Sequence, residues 1–153
     1  MVKRKRENKE IPALLKDLES SSVFTRKSAI IDLARKGALE ALPELLRLLK
    51  DKEATLRGCA AWALGELGDK RAIKPLMEAL RDMDVEVRRA GAQSLSRMAD
   101  PASLAALKDI RMDSDKWVAE WADKGISRIG QGLPVRKAAR PKRAKAEVLR
   151  LES

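Results

Sequence analysis

Apolar residues along this chain recur with two periods at once. Over short stretches they fall at helical spacing. Leu42, Leu45, Leu46 and Leu49 share one helical face, and after a polar break at residues 51–53 so do Leu56, Ala60, Ala63, Leu64 and Leu67. Over longer stretches the pattern returns every 31 residues. Ile11, Leu42, Ile73 and Leu104 form one column; Leu14, Leu45, Leu76 and Leu107 a second; Leu33, Leu64, Leu95 and Ile126 a third. Four units without insertion or deletion predict a repeat array over 11–132, with repeats at about 11–40, 41–71, 72–101 and 102–132.

Each unit reads as two helices. Gly68 stands where a helix C-cap takes positive φ, and Gly37, Ala99 and Gly130 fill the same column. Asp84 is placed as an N-cap, and Asp100-Pro101 opens the fourth unit in cap-then-proline order. Pro12 and Pro43 fall in first turns, where a missing N–H costs little. Helices of the expected ~9–15 residues are marginal alone, so their apolar faces must be buried against neighbouring units, which is the logic of a solenoid.

The stretch LRGCAAWALGELGDKRAIKPLMEALRDMDVEVRRAGAQSL, residues 56–95, resembles HEAT repeats of the short bacterial and archaeal type, which also occur in phycobilisome bilin lyases. The resemblance covers 11–131 and implies an all-α superhelix of the HEAT/armadillo type. It also implies that Asp51, Arg57, Asp82 and Arg88 form a ladder tying turns to helices across units; an anion-binding row of arginines is the alternative. Units one and four depart from the pattern. Ser20 stands in the Asp51 and Asp82 column, and Ala119 in that of Arg26, Arg57 and Arg88; terminal repeats are commonly atypical.

Composition removes most chemistry. Among 153 residues there is no histidine, no tyrosine and one cysteine. That excludes zinc-finger spacing and the usual His-dependent nucleophilic sites. Cys59 shares a column with Ser28, Ala90 and Trp121 and reads as a small packing residue. Neither a cofactor nor a metal is expected. No apolar run is long enough to cross a bilayer, and a single cysteine suits a reducing compartment, so the expected location is the cytoplasm.

Charge is concentrated at the ends. Of a net +10, residues 1–10 carry +3 and residues 133–153 carry +5, leaving +2 for 11–132. The ends read as basic arms with affinity for polyanions such as nucleic acid or an anionic membrane, or as solubility aids. Val148, Leu149 and Leu151 are placed for one transient helical turn.

The resemblance places the second helices on the inner surface. Their outward positions are Phe24, Lys27, Ile31 and Arg35 in unit one, and Thr55, Gly58, Trp62 and Glu66 in unit two. In unit three they are Glu86, Arg89, Gln93 and Arg97; in unit four, Trp117, Glu120, Lys124 and Arg128. This mildly basic strip contains the candidate contacts; Trp62 reads either as a central anchor or as a ring lying across Gly58 and Gly65 and packing locally. Trp121 reads as a cap over the last unit, and Trp117 as cap or groove. The leading expectation is a non-catalytic scaffold that docks a protein or peptide. Nucleic-acid binding through arms and groove is the alternative, and a bilin-lyase-like accessory enzyme the remote one. Oligomeric state is open.

Overall fold

A computed structural model describes residues 9–133 as an all-helical chain. The expected turn at Val148, Leu149 and Leu151, and most of both basic arms, lie outside the described residues. Eight α-helices form four pairs: α1 (Ile11–Asp17) with α2 (Val23–Lys36), α3 (Leu42–Leu48) with α4 (Ala54–Leu67), α5 (Ile73–Ala79) with α6 (Val85–Met98), and α7 (Leu104–Asp109) with α8 (Lys116–Gly130). Each second helix packs on the next, α2 on α4, α4 on α6 and α6 on α8, while each first helix backs its own partner. The architecture is an α–α superhelix. Among the described residues no helix is long and apolar enough to cross a membrane.

The leucine columns make the core. Leu14, Leu33, Leu45, Leu64, Leu76, Leu95 and Leu107 are all buried. The second helices approach closely through small residues. A Cβ placed on Gly65 would lie 2.9 Å from the Ser94 backbone, and one on Gly125 would lie 3.0 Å from that of Ser96. The Ser94 hydroxyl donates to the carbonyl of Ala61 at 2.8 Å, so α4 and α6 also share a buried hydrogen bond.

Two local expectations need correction. The first helices have only six or seven residues, because three of them are entered through 3-10 turns at Leu39–Ala41, Lys70–Ala72 and Pro101–Ser103. Asp100 accepts from the Ala102 N–H ahead of Pro101, so the cap-then-proline order holds, at the 3-10 turn that opens the fourth unit. The terminator column also fails in the last unit. Gly37, Gly68 and Ala99 take the left-handed conformation, but Gly130 is helical and the positive φ falls on Gly132. Among the described residues no fifth unit follows to demand the turn at Gly130. Asp84 accepts from the N–H groups of Glu86 and Val87, as an N-cap does.

Truncating Leu64 to alanine should destabilise the fold by ~2–5 kcal/mol. Gly65→Ala should lower the urea midpoint, although glycine-to-alanine in an open helix gains about 1 kcal/mol. An unchanged midpoint for both would contradict this packing.

Candidate functional site

Three arginines one repeat apart each reach forward into the following unit. Arg26 meets Asp51 at 2.9 Å, and Arg57 binds Asp82 through two nitrogens at 2.8 and 3.0 Å. Arg88 meets Asp113 at 3.1 Å. Arg57 and Arg88 also donate back to the carbonyls of Asp51 and Asp82, both at 2.9 Å, closing the turn that precedes their own helix. Each aspartate in turn accepts the N–H two residues on, at Glu53, Asp84 and Asp115. The Arg57 and Arg88 rungs thus each join two turns and two units.

The direction of the rungs explains the two irregular ends. Among the described residues no unit precedes the first to send it an arginine, and none follows the last to supply an aspartate. Those are the positions of Ser20 and Ala119. Ser20 keeps the local task alone, accepting the Ser22 N–H at 3.2 Å.

Beside this ladder lie further cross-unit pairs, of Arg89 with Asp115 and of Arg97 with Glu66. Arg89 forms a bidentate pair with Asp115 at 2.9 and 2.6 Å and also meets Glu86. The Arg89 guanidinium, aided by the Trp117 and Val118 N–H groups, holds the Asp115 carboxyl at about 2. The Arg57 guanidinium likewise holds the Asp82 carboxyl below its usual range. Arg97 pairs with Glu66. Two arginines proposed as groove contacts are therefore already engaged inside the molecule.

One repeat earlier, the position of Arg89 is Gly58 and that of Asp115 is Asp84. Without a side chain there, the gap between α4 and α6 stays open. A Cβ on Gly58 would have no neighbour closer than 3.8 Å. The opening is part of a cleft of about 470 Å³. Its apolar floor is Ile31, Cys59, Trp62 and Ala90; Lys27 and Arg35 of α2 stand on one side, Asp84 and Glu86 at the start of α6 on the other. Neither Lys27 nor Arg35 meets an acid among the described residues. The cleft is bipolar, not uniformly basic.

Of the two readings of Trp62, the local packing is the one the structure favours. Trp62 is half-buried and packs against the core, presenting part of its surface to the cleft. Cys59 is half-buried, and desolvation pushes its thiol up, away from a reactive thiolate. Phe24 is 79% exposed at the start of α2, outside the cleft. Gln93 is half-buried on α6. Trp117 is exposed, with the Lys116 ammonium 5.0 Å from its ring. Trp121 is partly buried against the core, with Lys124 4.6 Å from its ring. Lys124 and Arg128 line a separate opening toward the C-terminal end. Sequence reasoning missed Asp84 and Asp115 as site-shaping acids. The signal was present as the contrast between Gly58 and Arg89 within one column. Among the described residues no three His, Cys, Asp or Glu side chains are grouped to hold a metal ion.

Comparison with known proteins gives a consistent picture. The family described as HEAT repeats matches residues 11–92 and again 60–127. No curated protein matches the chain. Among solved structures, the complex of CpcE and CpcF of phycocyanin lyase from Nostoc sp. PCC7120 is similar at TM-score 0.73 and 25% identity, over 86% of this chain and 57% of that one. Human deoxyhypusine hydroxylase in complex with glycerol is similar at TM-score 0.67 and 28% identity, over 82% of this chain and 45% of that one. A designed armadillo repeat protein shares the fold at TM-score 0.62 and 20% identity, over 78% of this chain and 64% of that one. The chain thus spans about half the length of the two natural proteins.

The ion pairs carry a pH signature. Asp115 titrates at about 2 in the folded chain, against about 3.9 for an unperturbed aspartate. On acidification the unfolded chain takes up the proton first. The stabilisation from this pair is full above about pH 5 and disappears progressively toward pH 2. Thermal melting should fall over that window, and Asp115→Asn should flatten the fall. An equal acid slope in the variant would contradict the pairing.

Proposed function

The chain belongs to the HEAT repeat family, and on that premise we propose that it is a non-catalytic scaffold whose row of second helices seats a segment of a protein partner. The cleft beside Trp62 carries this reading. Its volume of about 470 Å³ falls in the ~300–1,000 Å³ range of ligand clefts. Its floor offers an indole face and small apolar groups to one large apolar side chain. Lys27 and Arg35 offer two uncommitted positive charges beside that floor. The complementary segment has an apolar anchor flanked by Asp or Glu. Trp and Arg at the centre of a cleft are the residue types that dominate binding energy.

Three further observations support a scaffold. The sequence holds no histidine to act as a general base or as a metal ligand. The lone thiol is raised rather than activated. The basic strip that a phosphate backbone would follow is weakened by the internal pairing of Arg89 and Arg97. Any affinity for nucleic acid then rests on the arms at 1–10 and 133–153. The single cysteine fits a reducing compartment such as the cytoplasm.

Selection of a displayed random-peptide library on the full chain tests this reading. Enriched peptides should share one large apolar residue beside acidic ones. Trp62→Ala should weaken their binding at least tenfold. Gly58→Arg should fill the cleft by pairing with Asp84 as Arg89 pairs with Asp115; binding should be lost while the melting temperature holds or rises. Peptides that bind both variants as well as the parent chain would overturn the assignment.

A further inference from the structure

A second opening lies between α6 and α8, some distance along the row from Trp62, and nothing in the scaffold reading uses it. It encloses about 540 Å³ and is lined by Ser96 and Arg97 of α6 and by Trp121, Asp123, Lys124, Ser127 and Arg128 of α8. Two of these residues carry buried polar atoms with no hydrogen-bond partner, the hydroxyl of Ser96 and the Nε of Arg128. Ser96 is 1% exposed. A buried hydroxyl left without a partner is uncommon in folded proteins and carries a desolvation cost.

The charges in the opening do not cancel. Arg97 is paired with Glu66, and Asp123 is held by Arg111 at 2.7 Å, so each of those charges is already met. Lys124 lies over the Trp121 ring and meets no carboxylate, and no carboxylate pairs with Arg128 among the described residues. The lining therefore has a surplus of two positive charges. Ser127 accepts a hydrogen bond from the Gln131 side chain, which leaves its own proton to donate. The groups with a proton to donate are thus an ammonium, a guanidinium N–H and two hydroxyls, of which the Ser96 hydroxyl and the Arg128 Nε have no partner. Their complement is an oxyanion with several acceptor oxygens and a charge near −2.

We propose that this opening binds a phosphate monoester or inorganic phosphate, with Lys124 and Arg128 meeting its charge and the Ser96 and Ser127 hydroxyls donating to its oxygens. A phosphate monoester carries about −1.5 to −2 at neutral pH and presents three strong acceptor oxygens. Arginine and lysine bind such groups through charge-assisted hydrogen bonds. The site is independent of the cleft at Trp62, and Trp62→Ala leaves it unchanged.

The test is an amide chemical-shift titration of the full chain with inorganic phosphate, against sodium chloride at equal ionic strength. Phosphate should move amides near 96–97 and 121–128 saturably, while chloride should not. Arg128→Gln and Lys124→Gln should each weaken binding at least tenfold; the basic arms are common to all these chains and do not alter the comparison. Ser96→Ala should weaken binding at least threefold without lowering the urea midpoint, an outcome that a purely structural hydroxyl would not produce. A short phosphoserine peptide that binds at least tenfold more tightly than phosphate would show that the group is carried on a polypeptide; equal affinity would point to the free ion. Non-saturating shifts that chloride reproduces, or binding unaffected by Arg128→Gln, would overturn the proposal.

Discussion

Helices of six and seven residues do not persist alone in water, and the first helices of this chain are no longer than that. They exist because each lays its leucines against a second helix, and each second helix lies against the next. Burial between units is the constraint from which the rest follows. It demands that α4 and α6 approach closely, which Gly65 and Ser94 permit, and that α6 and α8 do the same through Ser96 and Gly125. Apolar burial alone does not fix the register of such a stack. The arginine rungs do so: the Arg57 and Arg88 guanidiniums each meet both their own turn and the carboxylate of the next unit, and Arg26 meets the carboxylate of Asp51.

Once the register is set, a change at one repeated position becomes a feature of the surface. Where the column holds Arg89, the gap to the next unit is bridged by a bidentate pair. Where it holds Gly58, the corresponding acid is left at the rim of an open cleft over Trp62. The same side-chain bookkeeping leaves Lys124 and Arg128 without acids in the last gap. On the readings proposed above, the surfaces that would recognise a ligand arise from departures within a regular scaffold, because the fold alone does not specify a site.

The architecture was legible because it rests on local periodicity. The leucine columns, the left-handed caps at Gly37 and Gly68, and the N-cap at Asp84 depend on residues close in sequence. The repeat offset puts the last cap at Gly130 because it assumes a following unit, and among the described residues none follows. The site was only partly legible. A helical wheel placed Trp62 outward, but its bulk reaches down to the core between neighbouring helices. The partners of Arg89 and Arg97 lie 26 and 31 residues away, in adjacent units, and a single-helix projection contains no such pairs. Ser20 and Ala119 looked like loose ends of a pattern. They mark where a forward-pointing ladder begins and stops.

The central claim is that the open gap at Gly58 and Trp62 receives a protein segment while the row of second helices does not read nucleic acid. The most direct measurement is an amide chemical-shift map of the full chain, recorded once with a selected acidic-apolar peptide and once with a DNA duplex. The account predicts that the peptide perturbs residues within 27–35, 54–62 and 84–90, and that the duplex perturbs only the arms at 1–10 and 133–153. A duplex that perturbs the same α2, α4 and α6 residues, or a peptide that leaves them unmoved, would contradict it.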